Sequence, residues 1–174
     1  MNQEFLNLIK SRRSIRSYEN KKIDKELLEA VLEAGTYAPT AMGKQSPVIV
    51  AVTNKKYRDE LSKLNAEVMG AENDPYYGAP VIVVVLADGT MPTFIEDGSC
   101  VLENLMLAAH AVGLGSVWVN RERQIFDSER GKQLLQEWGL PATLRGVGAI
   151  ALGYPKGEVP KPKERKKDYI VHVD

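Results

Sequence analysis

Apolar residues fall along this chain in two alternating rhythms. Leu27, Leu28, Val31 and Leu32 recur at helical spacing after Asp24, a suitable N-cap, and the pattern stops at Gly35 and Pro39, which predicts an amphipathic helix. Val48 to Thr53 is short and rich in β-branched side chains, as a strand would be, and Tyr57, Leu61, Leu64 and Val68 then return to helical spacing. The run Val81-Ile82-Val83-Val84-Val85-Leu86 has no polar alternation, which predicts a central strand buried on both faces. From Ile95 to Val112 a broad apolar face through Val101, Leu102, Leu105, Met106 and Ala109 predicts a long buried helix ending at Gly113. Ser116 to Asn120 reads as a short strand, Ser128 to Trp138 as a helix closed by Gly139, and Arg145 to Leu152 as another strand. After Pro155, Pro160 and Pro162 prevent regular structure until Tyr169 to Val173, which the pattern allows as a terminal strand.

Taken alone, this alternation suggests a doubly wound parallel sheet. The nucleotide motifs that usually accompany such a sheet are missing, because Gly113-Leu114-Gly115 follows a helix rather than a strand and no Gly-Lys-Ser or Gly-Lys-Thr occurs. With 174 residues and 44% hydrophobic content the chain can bury one good core, so residues 1–174 are expected to form a single domain. Lys plus Arg and Asp plus Glu both number 23, so no whole-protein field for a polyanion exists and any electrostatic site must be local. Cys100 is the only cysteine and His110 and His172 the only histidines, which excludes a disulfide framework and a Cys/His metal set. A reducing cytoplasm is the expected location, with Cys100 a buried thiol, His110 a core histidine and His172 exposed. Met1 to Leu6 lacks the charged start and long apolar stretch of a signal peptide, and no apolar run approaches the roughly 20 residues of a membrane span, so a soluble protein is expected.

The chemistry concentrates at Ser11-Arg12-Arg13-Ser14-Ile15-Arg16-Ser17-Tyr18. Guanidinium forks match phosphate oxygens, and serine adds a neutral donor between them. Alternate residues of an extended segment share a face, so Arg12, Ser14 and Arg16 are expected to point at one ligand and Arg13 away from it, unless a bend brings its backbone or side chain close. A second basic run, Lys161 to Lys167, lies in the polar C-terminal stretch, and Ala38 to Pro47 is a loop of small and polar residues leading into an apolar run.

The Arg-Arg-Ser-x-Arg start, the Ala-Pro-Thr-Ala loop with Gln soon after, Tyr-Gly-Ala-Pro before a valine-rich strand, and Gly-Leu-Gly-Ser-Val-Trp occur in that order from Ile9 to about Arg165. Together they resemble the nitroreductase family of FMN enzymes. The resemblance implies an α+β fold: a three-layer α/β/α sandwich with a mainly antiparallel sheet, in place of the parallel one, and a C-terminal arm, residues 155–174, exchanged between subunits. It implies a homodimer with shared flavin sites. Arg12, Arg13, Ser14 and Arg16 match positions that hold the FMN phosphate, ribityl chain and one edge of the ring, with Arg16 the cation near N1 and the C2 carbonyl. Pro39, Thr40 and Ala41 match a loop that packs on the partner's flavin, with Gln45 just beyond; Gly43 and Gln45-Ser46-Pro47 depart from the family pattern. Asn65 is either an amide for the pyrimidine edge or an ordinary satisfied asparagine. Val117, Trp118 and Val119 match a strand end facing flavin N5, and Lys163 and Arg165 a basic pair on the phosphate.

The implied function is hydride transfer from NADH or NADPH through flavin N5 to an electron-poor small-molecule acceptor such as a nitroaromatic or quinone, with no metal and no catalytic side chain. Neither nucleic acid nor membrane is an expected partner. The alternative is a non-redox protein that uses the basic segments to bind a phosphorylated metabolite or a nucleic-acid end, although Lys161 to Lys167 carries no interleaved aromatic residue for base stacking.

Overall fold

A computed structural model describes all 174 residues. In chain order the elements are α1 (Gln3–Ser11), α2 (Lys25–Thr36), β1 (Pro47–Val52), α3 (Lys55–Met69), β2 (Val81–Asp88), α4 (Phe94–Ala111), β3 (Gly115–Val119), α5 (Glu122–Asp127), α6 (Glu129–Glu137) and β4 (Leu144–Gly153). The strands form one sheet in the order β1-β2-β4-β3, and every pair is antiparallel. The parallel sheet that alternation alone suggests is therefore absent. Neighbouring strands alternate in direction, while β2 and β3, joined through α4 and separated in the sheet by β4, run the same way, an arrangement that hydrophobic period does not encode.

Alternation along β2 divides the core into two layers. Ile82, Val84 and Leu86 face Leu61 of α3, Ile125 and Phe126 of α5, and Leu134 and Leu135 of α6. Val81, Val83 and Val85 face Leu28 and Val31 of α2 and Leu102, Leu105 and Met106 of α4. Helices thus cover both faces of the sheet, and β2 is buried from Val81 to Ala87 as its composition predicts. Burial of each such aliphatic side chain is worth about 1.5–3 kcal/mol, so the two layers dominate the stability.

Several local expectations change. A helix α1 also forms over Gln3–Ser11, where Phe5, Leu6, Leu8 and Ile9 do recur at helical spacing, but it has no buried residue and leaves Phe5 and Ile9 exposed. α5 is an unannounced helix of six residues, too short for its period to register. Cys100 is exposed, since α4 turns Val101, Leu102 and Leu105 inward and leaves position 100 outside. His110 is half-buried near the end of α4 rather than in the core, and its ring lies 2.8 Å from Ser11 Oγ. Residues 169–173 form no strand; Tyr169, Ile170, Val171 and Val173 stand exposed, with no sheet edge of their own chain beside them. No helix is long and apolar enough to cross a membrane.

Candidate functional site

The basic segment leaves α1 at Arg12, whose extended backbone caps the helix (φ −54°, ψ 135°), and then runs beside β3. Ser14 bridges to Ser116, and the Ile15 amide donates to the Ser116 carbonyl at 3.0 Å. Further along, Glu19 N donates to the Tyr154 carbonyl at 2.9 Å and Lys156 N to the Ser17 carbonyl at 3.0 Å, so the segment is tied to both β3 and the exit of β4. Tyr18 is buried, and its hydroxyl donates to the Ile15 and Ala151 carbonyls.

This anchoring redistributes the arginines. Arg12 and Arg13 together line a cavity of about 220 Å³ with His110, Ser116 and Pro155, while the Arg16 guanidinium lies 5.8 Å from the Tyr77 ring centroid. Strict alternation, with Arg13 turned away from Arg12, does not hold because the chain bends out of α1 at Arg12 before the extended stretch begins. Arg13 Nη1 donates to the Lys10 and Arg12 carbonyls at 2.7 Å each, closing the helix end. Arg12 Nη1 and Arg13 Nε are buried with no hydrogen-bond partner, and the only carboxylate near Arg12 is Glu103 at 4.0 Å. Burial, followed by the charges of Arg12 and Arg13, holds the His110 imidazole below its usual pKa. Both guanidinium groups line this cavity and each keeps a nitrogen without a partner, an arrangement that suits an anion.

The Pro39 to Gln45 loop contains a single tight turn at Ala41–Gly43 and is largely exposed. Asp97, buried on α4, accepts from the Ala41 amide at 3.0 Å, and Thr40 Oγ1 accepts from the Gln45 amide at 3.0 Å. This loop enters β1, whereas the arginine segment flanks β3, and those strands are the two edges of the sheet. Three strand spacings, roughly 14 Å, separate the edges. One chain therefore does not bring Pro39, Thr40, Ala41 and Gln45 together with Arg12, Arg13, Ser14 and Arg16. Lys163 and Arg165 are likewise exposed on the arm and away from the cavity, to which the C-terminal stretch contributes Pro155 and Val159.

On β3, Val117 and Val119 point into one core layer, and Trp118 packs on the other, its indole over Gly148 of β4. Their side chains are structural. The backbone differs: β3 pairs with β4 on one side, and on the other it meets only Ser14, through Ser116. Past β3, Asn65 is fully buried and fully engaged, donating to the Asn120 carbonyl at 2.8 Å and accepting from Arg121 Nε at 2.7 Å. Beside it Tyr76 donates to Glu122 Oε1 at 2.7 Å. Burial pushes the Glu122 carboxyl up to about 8, against the opposing effects of the Tyr76 bond and the Arg121 charge.

His110, Asp97, Tyr76 and Glu122 were not legible as site residues. Glu122 sits in the polar run Asn120-Arg121-Glu122-Arg123-Gln124, where no apolar neighbour signals burial. It becomes buried because Gly146 of β4 lets its backbone approach: a Cβ there would lie 2.2 Å from the Glu122 carbonyl carbon. Gly146→Ala is expected to cost about 3 kcal/mol, because backbone rather than a side-chain tip must move. Urea unfolding measures it, and an unchanged midpoint would contradict the close approach.

The nitroreductase family model matches residues 9–154. A relative from Archaeoglobus fulgidus, provisionally named NADH dehydrogenase/NAD(P)H nitroreductase, is 32% identical over 161 residues, covering 90% of this chain and 88% of the relative. A nitroreductase from Bacteroides fragilis, crystallised with bound FMN, superposes with a TM-score of 0.90 at 31% identity over 98% of this chain and 99% of its own. A second FMN-bound nitroreductase, from Desulfitobacterium hafniense, gives 0.88 at 27% identity with full coverage of both chains.

Proposed function

The chain belongs to the nitroreductase family, and on that premise we propose that it is an FMN-dependent oxidoreductase that carries reducing equivalents from NADH or NADPH to an electron-poor small molecule such as a nitroaromatic or quinone. The observation that carries this reading is the pair of buried, unpartnered guanidinium nitrogens on Arg12 and Arg13 at one cavity. At about 220 Å³ the cavity is smaller than a typical whole-ligand pocket and suits a phosphate and the chain next to it. FMN, when bound, supplies the reversible two-electron chemistry.

The chain's own residues then bind and orient. Arg12 and Arg13 hold the phosphate, with the Ser14 hydroxyl between their reach and that of Arg16. Arg16, placed over Tyr77, brings a positive charge to the ring edge, where it stabilises negative charge. The free backbone edge of β3 offers directional hydrogen bonds beside that surface. The rest of the ring surface comes from a second copy, whose Pro39 to Ala41 loop and Gln45 would supply what the opposite sheet edge cannot. A homodimer also gives a use to the unburied α1 and to the exposed apolar tip of the arm, and it would bring Lys163 and Arg165 toward a phosphate.

Arg12→Ala is expected to weaken FMN binding by about 10- to 100-fold, the effect of one charge-assisted contact of about 1.5–3 kcal/mol, with the urea midpoint nearly unchanged. Flavin absorbance retained after dilution reads the first and circular dichroism the second. Full occupancy in the variant would remove the arginine pair from the phosphate site. A parent protein that is colourless and takes up no FMN would instead support a non-redox anion binder.

A further inference from the structure

Three consecutive residues just past β3 are held by side chains from other elements. Asn65 of α3 grips the Asn120 carbonyl and Arg121 Nε, and Tyr76, from the loop before β2, holds Glu122 Oε1, which Asn65 Nδ2 also reaches at 3.3 Å. Asn65, Tyr76 and Glu122 are all completely buried. Arg121 has a φ of 86°, a left-handed conformation that a residue with a Cβ keeps only where its surroundings enforce it. Glu122 Oε2 is buried and has no partner.

We propose that Asn65, Tyr76 and Glu122 form a proton-linked brace that positions the Asn120–Arg121 turn against the flavin, and that the proton on Glu122 keeps the brace closed. The inference rests on the reading that this end of β3 faces the cofactor. The polar and charged groups facing the Glu122 carboxyl are the Tyr76 phenol, the residue's own backbone amide, the Arg121 guanidinium and the Asn65 amide, while β4 presents uncharged Gly146. With the proton on, the carboxyl is a neutral acceptor at Oε1, and Arg121 stays on Asn65. When the proton leaves to solvent, Oε2 becomes a carboxylate oxygen without a donor, and Arg121 is the adjacent cation. A charge-assisted bond to it is stronger than the bond from Arg121 to a neutral amide, so the guanidinium leaves Asn65 and the strained turn loses its restraint. Tyr76 remains a donor throughout, because burial, then the neighbouring Glu122, holds its phenol well above the ordinary value. All three brace members are positioning residues, since none needs to touch a substrate.

Carbon-detected NMR of the Arg121 15Nε resonance in the flavin-free protein tests the brace without reference to activity. The resonance is expected to titrate in the parent with a midpoint near 8 and to stay flat in Glu122→Gln, which is neutral at every pH. FMN affinity should fall by up to about tenfold between pH 7 and pH 9 in the parent and hold constant over that range in the variant, the size of one lost hydrogen bond. Tyr76→Phe, which removes the donor and spares the carboxyl, should move the Arg121 resonance already at neutral pH. A parent resonance that does not titrate, or that titrates identically in Glu122→Gln, overturns the brace. Titration with an unchanged FMN affinity overturns its placement against the flavin. Failure to take up FMN at any pH is a different result: it overturns the proposed function and the flavin half of the inference, while the resonance still decides the brace.

Discussion

At pH 8.5 the flavin-free Glu122→Gln protein is expected to be more stable than its parent by on the order of 4 kcal/mol, and at pH 5 by under about 1 kcal/mol. Glu122 is an acid whose folded-state pKa, about 8, lies above the ordinary value of 4.5. Between those values the folded state holds a proton that the unfolded chain has released, so parental stability falls as pH rises through that window, by up to about 1.4 kcal/mol per unit. Glutamine removes the titration and keeps the shape. It adds little new burden, because the protonated carboxyl already leaves a group unpartnered at the Oε2 position. Urea midpoints of both proteins at pH 5 and 8.5 check the expectation. Parallel losses in parent and variant would mean that Glu122 ionises freely in the folded protein.

The second large effect is recovery of activity from two inactive proteins. Arg16→Ala damages the segment beside β3, and a bulky Ala41→Trp fills the loop ahead of β1, at the other edge of the sheet. If each flavin site takes the arginine segment from one copy and the loop from the other, a mixed dimer gathers both lesions into one site and leaves its second site intact. Co-folding the two variants is then expected to restore up to about half the parental activity per heterodimer, from near zero in either homodimer, as two-fold symmetry requires. Heterodimers that assemble and stay inactive would place both segments in the same site.

How far the sequence reaches differs from element to element. β2 and α4 were legible because burial on both faces, or along a broad stripe, writes itself into residue type, and the ordered motifs from Arg12 to Trp118 pointed to the family that the comparisons found. α1 was equally legible in the spacing of Phe5, Leu6, Leu8 and Ile9, although it buries none of them within one chain, and Cys100 was misplaced because helical period fixes a stripe less sharply than one position. Sheet direction came from the resemblance and not from the alternation of elements.

The cationic, hydroxyl-rich character of residues 11–18 was determined by composition alone, since guanidinium and hydroxyl chemistry is local. Which arginines share a cavity was decided by the bend out of α1 and the bridge from Ser14 to Ser116. The separation of the loop from the arginines followed from strand order, which no stretch of sequence contains. Glu122 is the clearest case: in sequence it is one charge among four polar neighbours, and only the approach of β4 at Gly146, with Asn65 and Tyr76 arriving from distant positions, removes it from water and changes its chemistry. Periodicity reports which face of an element is buried, whereas desolvation of a particular group depends on the neighbours that the whole fold assembles around it.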